Sequence, residues 1–198
     1  MDKLILASQS PRRQELIRKI TDDFEVIVSK VEESLPEDIS CEEAPAYLAA
    51  LKAAAVSAEY PDRTVVGADT VVILDSQILG KPTDADDARR MLSLLSGRTH
   101  TVITGCCIRY GGMERRFCER TEVEFYPLDS REIDEYIATG EPFDKAGSYG
   151  IQGKGCLLVK GIRGDYFNVM GLPVGRLNRE LAECRIICSK SDSTEATV

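Results

Sequence analysis

The sequence predicts an α/β fold, a mixed β-sheet with flanking helices, and three observations carry that reading. Strand-like apolar runs and stretches of helical spacing alternate along most of the chain. Gly111-Gly112 joins two strand-like runs, a hairpin signal that brings antiparallel pairing into the sheet. The run TVVGADTVVIL at 64–74 is β-branched on both sides of Gly67-Ala68-Asp69, as expected of a buried central strand.

The elements follow in order. Leu4-Ile5-Leu6 forms the first strand and leads into a helix over about 11–20. Ser10 serves as its N-cap, and Pro11 takes the first helical position, where a missing N–H costs nothing. A strand over 24–28 precedes a turn holding Glu32, Glu33 and Pro36. Residues 42–59, rich in alanine and leucine, form a long helix with Lys52 in its middle, and 61–63 break it. After the central strand comes a helix over 83–96. Thr83 is its expected cap, Asp86 completes a capping box, and Gly97 stops it. Ala85, Ala88, Leu92 and Leu95 share its inner face. The hairpin strands run over about 100–110 and 116–126. A helix over 129–139, a glycine-rich loop over 147–155, a strand over 156–160 and a last helix over 171–184, extendable to 188, complete the order. One domain, 1–188, is expected, followed by a small polar tail, 189–198, expected to be disordered.

Bulk properties narrow the function. With 198 residues, 43% hydrophobic and 29% charged, the chain can bury a real core as a globular protein. No apolar run approaches the ~20 residues of a membrane span. Residues 1–7 are too short and too early for a signal peptide, so the cytoplasm is the expected location. A net charge of −8 argues against a protein that coats nucleic acid, yet a few cations clustered in a cleft can still hold a polyphosphate. Seven cysteines, without a C-x-x-C pair, fit reduced thiols; Cys184 and Cys188, four apart on a helix, read as packing residues rather than a zinc site. His100 is the only histidine, which excludes a histidine-rich metal centre and leaves one candidate for any Ser-His-Asp scheme.

Several residues carry chemistry. Arg12 and Arg13 project from the first turn of a helix, where two guanidinium forks and unpaired N–H groups can grip a multiply charged anion; an ordinary strand–turn–helix start gives the same spacing. Asp69 sits in an apolar strand, where an ion is costly unless paired. It either hydrogen-bonds a neighbouring turn or holds a divalent cation or activates water. Glu32 and Glu33 are either solvated or, facing Asp69, part of an oxygen-rich set that suits Mg²⁺ or Mn²⁺. Lys81 is pinned between Gly80 and Pro82, and Lys52 lies among alanines as a snorkelling lysine or a cation reaching into a cleft. The stretch 144–155 either wraps a ligand or is a flexible surface loop. It is not a phosphate-binding P-loop: Ser148 replaces the first glycine and Gly155 the final Ser/Thr. Gln152, with donors and an acceptor, suits the edge of a base.

The order of these motifs resembles the Maf family of nucleoside triphosphate pyrophosphatases: LASQSPRR, Glu33, LKAAAV, VGADTVV, LGKP, SGRTHTVITG, DKAGSYGIQGKG and VMGLPV, from about residue 4 to 177. The resemblance implies two lobes around a deep cleft and a fold related to inosine triphosphate pyrophosphatases. It implies Asp69 as catalytic proton acceptor near a metal, and Ser8, Arg13, Glu33, Lys52 and Lys81 as phosphate- or metal-handling positions, with Glu33 and Asp69 holding Mg²⁺ or Mn²⁺. Arg12, Thr70 and Gln152 match the positions that separate the family's branches, and all three agree with the branch acting on dTTP and UTP. A homodimer is implied as well. The alternatives are the same chemistry on 7-methyl-GTP or another purine, and a non-catalytic regulator of septum formation acting through partner contact or nucleic acid, the latter disfavoured by the net charge of −8. The expected partner is a nucleoside triphosphate substrate, with no nucleic acid and no membrane.

Overall fold

β1 (Leu4–Leu6) lies in the sheet between two parallel neighbours, β2 (Phe24–Val26) and β3 (Val65–Leu74). Each connection runs through a helix, as parallel pairing requires: α1 (Pro11–Ile17) leads to β2, and α2 (Ala44–Glu59) leads to β3. β3 then pairs antiparallel with β5 (Thr99–Tyr110), β5 with β6 (Met113–Phe125) and β6 with β7 (Val159–Arg163). β4 (Gln77–Leu79) folds back on the end of β3. The result is a mixed, seven-stranded sheet in the order β2-β1-β3-β5-β6-β7, with β4 beside β3. This computed structural model describes residues 3–195, and side chains as far as Cys184. No helix among the described residues is long and apolar enough to cross a membrane.

Local chemistry explains most boundaries. Gly111 and Gly112 both have positive φ, 54° and 77°, and join paired Tyr110 and Met113, the two-residue turn whose twist matches the strands. Because that turn closes directly, β6 begins at Met113 rather than near 116. Ser10 caps α1 by accepting from the Arg13 N–H at 3.5 Å, and the helix ends at Ile17 in a tight turn rather than running to 20. α3 (Ala85–Leu95) is capped by Asp84, which accepts from Asp87 N–H at 2.8 Å; Thr83 and Asp86 do not form the expected box. α4 (Ser130–Ile137) has a full capping box between Asp129 and Glu132.

Three elements differ from the sequence reading. β4 is too short, at three residues, for a periodic signal. Residues 154–158 form a 3₁₀ turn, and the strand starts at Val159. The expected helix from 171 starts at Val174, after Pro173, as α6 (Val174–Glu195). Before it stands a short helix the sequence reading does not contain, α5 (Tyr166–Met170), capped by Asp165 and stopped by Gly171 at φ 114°. α6 continues past 188, where an irregular tail is expected; the side chains of that stretch, Cys188 among them, and residues 196–198 lie outside the described residues.

The two faces of the sheet are covered differently. α2 lies on one face over Gly67 and Gly105. A Cβ at Gly67 would stand 2.2 Å from Ala49 O, and one at Gly105 2.1 Å from Ala46 N. Missing side chains on the strands and alanines on the helix let the two backbones approach, with Ala49, Ala50, Ala53 and Val56 packed on Ile5, Val65 and Cys107. The opposite face carries two separate cores. One joins Leu6, Leu16, Ile17, Val66, Ile108, Leu172 and Leu177, where Cys184 is also buried. The other joins Val72, Leu92, Leu95, Val102, Phe125, Ile133 and Tyr149. Each fully buried Leu or Ile contributes about 1.5–3 kcal/mol, so each lobe has its own hydrophobic anchor.

His100 belongs to the second core. It is buried edge-to-face against Phe125 and Tyr149, with Nε2 2.7 Å from the Tyr149 hydroxyl and Nδ1 without a partner among the described residues. Burial lowers its pKa from 6.5 to about 4. Between those values the unfolded chain binds more protons than the folded one, so this contribution is complete above pH 6.5 and is lost as pH falls toward 4. Melting temperature should drop more steeply over that interval in the parent than in His100→Gln, which keeps a polar group but does not titrate. Parallel curves would show that His100 plays no part in acid lability.

Candidate active site

The cleft sits where the sheet has a gap. One edge of β3 pairs with β1 at Val65 and Val66 and with β4 from Val72 to Leu74. Between them, Gly67–Val71 has no strand beside it on that edge among the described residues. A cleft of about 830 Å³ opens there, between the two cores. Asp69 and Thr70 are adjacent and so point to opposite faces of the strand, yet both line the cleft because its walls straddle the strand edge.

On the α2 face, Lys52 reaches down from the helix and places Nζ 2.7 Å from Asp69 Oδ1 and 2.8 Å from Glu33 Oε2. Lys52 and Asp69 are largely buried, with 12% and 16% of their side chains exposed, whereas Glu33 is half exposed. Gly105 lies directly across from Asp69 in β5, and the backbone of Pro45 and Ala46 at the start of α2 fills the space its side chain would take, which seats the helix carrying Lys52 close to the sheet. Of the two neighbouring glutamates, Glu33 lines the cleft.

On the opposite face, Arg13 is fixed by its own surroundings. Nε donates to Gly171 O at 2.9 Å, one terminal nitrogen to Ser8 Oγ at 3.3 Å, and the other to Thr70 Oγ1 at 3.0 Å. Burial pulls its pKa below the usual arginine value, and the Asp69 carboxylate opposes that shift. Arg12 spans the cleft to Asp144 at 3.4 Å, and Gln152 spans it to Glu15 at 3.2 Å. Lys81 lines the cleft on an exposed turn fastened to the 144–155 loop, because Gly147 N–H donates to Gly80 O at 3.0 Å.

Ser8, Arg12, Arg13, Glu33, Lys52, Asp69, Thr70, Lys81 and Gln152 therefore all border one cavity. Buried His100 does not, so no Ser-His-Asp arrangement exists there. Two further groups were not singled out from sequence. Lys145 lines the cleft with Nζ 2.6 Å from Asp144 and 2.5 Å from Glu141 O. Thr104 and Asn168 lie behind Thr70, fully buried. A buried asparagine between an N-cap and a glycine stop is the one local signal that marks Asn168.

Among the described residues no group of three or more His, Cys, Asp and Glu side chains is placed to hold a metal alone. Glu33 and Asp69 nevertheless aim two carboxylate oxygens at one point, now filled by an ammonium. Two hard oxygen donors fit the protein's share of a Mg²⁺ or Mn²⁺ site, in which phosphate oxygens and water supply the rest.

A family model described as Maf-like protein matches residues 3–184. A dTTP/UTP pyrophosphatase of Bacillus cereus is 52% identical over 183 residues, 92% of this chain and 96% of that protein. A dTTP/UTP pyrophosphatase of Bacillus velezensis is 52% identical over 184 residues, 93% of this chain and 97% of that protein. A HAM1 protein from Coxiella burnetii aligns over 92% of this chain and 100% of its own, with a TM-score of 0.52 and 15% identity, a likeness of fold.

Proposed function

The chain belongs to the Maf-like protein family, and from that premise we propose that it hydrolyses dTTP and UTP to the nucleoside monophosphate and pyrophosphate. The observation that carries this reading is the Asp69–Lys52–Glu33 cluster in a cleft bordered by Arg12, Arg13 and Lys81. A lone lysine between two carboxylates is structural. The same cluster beside three more cations, open to a cavity of nucleotide size, is suited to holding a polyphosphate.

The residues divide the work by position. Arg13, already fixed, offers its remaining N–H groups to a phosphate, and Arg12 can exchange Asp144 for substrate oxygens. Lys81 approaches from the second lobe, so the triphosphate would be gripped from both sides. Lys52 neutralises charge at the phosphorus under attack and holds the Asp69 carboxylate oriented. Asp69 then orients water and accepts its proton, and attack at the α-phosphorus expels pyrophosphate. A divalent cation, which Glu33 and Asp69 would hold, supplies further neutralisation of phosphate charge. Gln152 presents its amide at the far wall, where it can exchange Glu15 for the edge of a pyrimidine.

The test is pyrophosphate release from a panel of nucleoside triphosphates, with Mg²⁺ and with chelator. Release from dTTP and UTP that chelator abolishes is expected. Release chiefly from a purine such as 7-methyl-GTP would keep the chemistry and overturn the base assignment. No release from any nucleotide would overturn the enzyme reading in favour of a regulatory protein.

A further inference from the structure

Behind Thr70 lies a buried chain of hydrogen bonds whose direction is fixed at both ends. A hydroxyl has one proton to give. Thr104 Oγ1 donates its proton to Asn168 O at 2.9 Å. The Thr70–Thr104 hydroxyl contact, also 2.9 Å, therefore has Thr70 as donor. Thr70 Oγ1 in turn accepts from Arg13 at 3.0 Å. The order is Arg13 to Thr70 to Thr104 to the Asn168 carbonyl, with no step reversible.

Asn168 cannot turn. Its Oδ1 accepts from Thr104 N–H at 3.0 Å, and its Nδ2 donates to Val102 O at 3.1 Å and to Thr121 Oγ1 at 2.9 Å. A flipped amide would set donor against donor at Thr104 and acceptor against acceptor at Val102. The same asparagine sits in α5, whose C-terminal Gly171 supplies the carbonyl that accepts from Arg13 Nε. α5 thus holds the guanidinium at two places, once directly and once through Thr104 and Thr70. Three of the five N–H donors of Arg13 are spent on Gly171, Thr70 and Ser8, which leaves one on each terminal nitrogen.

We propose that Thr104 and Asn168 are positioning residues that, through the hydroxyl of Thr70, lock the Arg13 guanidinium as a two-donor fork for one phosphate of the substrate. The assignment deepens the proposed nucleotide hydrolysis and rests on it for the identity of the substrate. It gives the Thr70 hydroxyl a phosphate-supporting role, distinct from reading the base. Loss of the lock should therefore weaken binding of any polyphosphate, whatever base it carries.

The experiment measures, in Mg²⁺ buffer, calorimetric binding of inorganic tripolyphosphate and the KM and kcat for UTP and dTTP. Proteins are the parent, Thr104→Val, Thr104→Ser, Arg13→Lys and Arg13→Lys/Thr104→Val. Thr104→Val should weaken tripolyphosphate binding by about tenfold and raise KM for both nucleotides by a similar factor. Thr104→Ser, which keeps the hydroxyl, should restore parent values. In the Arg13→Lys background the valine should cost little more, since the fork it supports is gone. A merely structural role would make the two losses multiply, and that result would overturn the proposal. So would a Thr104→Val protein that binds tripolyphosphate as the parent does but changes its base preference. If Thr104→Val does not fold, Thr70→Val takes its place with the same expectations. Weakened tripolyphosphate binding in a protein that hydrolyses no nucleotide would uphold the lock and overturn the substrate.

Discussion

Asp69→Asn should lower pyrophosphate release by about 10²–10⁴-fold while the protein still binds UTP. The substitution keeps size and hydrogen-bonding reach but removes the basic oxygen. Lys52 retains its 2.8 Å contact with Glu33, so the ammonium stays in place and the fold loses one ion pair of the two. Glu33 still offers a carboxylate to a cation, and removing a negative charge beside a polyphosphate offsets the lost ligand in the ground state, so the loss should fall chiefly on kcat. Turnover with saturating UTP and calorimetric binding of UTP measure the two separately. A protein that loses affinity and turnover together would place Asp69 in substrate binding. Unchanged turnover would reduce Asp69 to the structural partner of Lys52 and move the proton acceptor elsewhere.

The strand containing Asp69 is legible because β-branched residues flank Gly67-Ala68-Asp69 on both sides, and Asp69 stands out in it because an ion there is costly unless paired. The mixed α/β class follows from alternation and the Gly111-Gly112 hairpin for the same kind of reason, each a local pattern with one common meaning, whereas the order of the strands is set by pairings distant in sequence. The partner of Asp69 was not legible. Lys52 among alanines reads equally as a surface lysine, and only the close seating of α2 shows that it points down. The gap in the edge of β3 was invisible for a related cause. It arises from β1 ending and from the three-residue β4 beginning, and neither end carries a composition signal. The α5 helix was missed because five residues give no periodicity, although Asp165 and Gly171 mark its limits. The Thr70–Thr104–Asn168 chain joins three elements far apart in sequence, so it exists only once the chain is folded.

Gly105→Ala should destabilise the fold and disable the site through one atom. The added Cβ would stand 2.1 Å from Ala46 N and 2.2 Å from Pro45 C, both backbone atoms that cannot step aside. α2 must therefore lift from the sheet, an overpacking cost of about 1–3 kcal/mol. For a chain of this size each kcal/mol lowers the melting temperature by about 2–4 °C. Lys52 rides on the same helix, so the lift draws Nζ away from Asp69, and a displacement of about 1 Å at a reacting group can cost about 10²-fold in rate. Gly161→Ala is the control, because a Cβ there meets none of the described residues within 4 Å; it should leave melting and turnover near the parent values. If Gly105→Ala melts lower but turns over normally, the position of Lys52 is set by its ion pairs rather than by the seat of the helix. If both fall together, the pair of glycines beneath α2 belongs to the catalytic design as much as Asp69 does, since the close approach they permit is what delivers the ammonium.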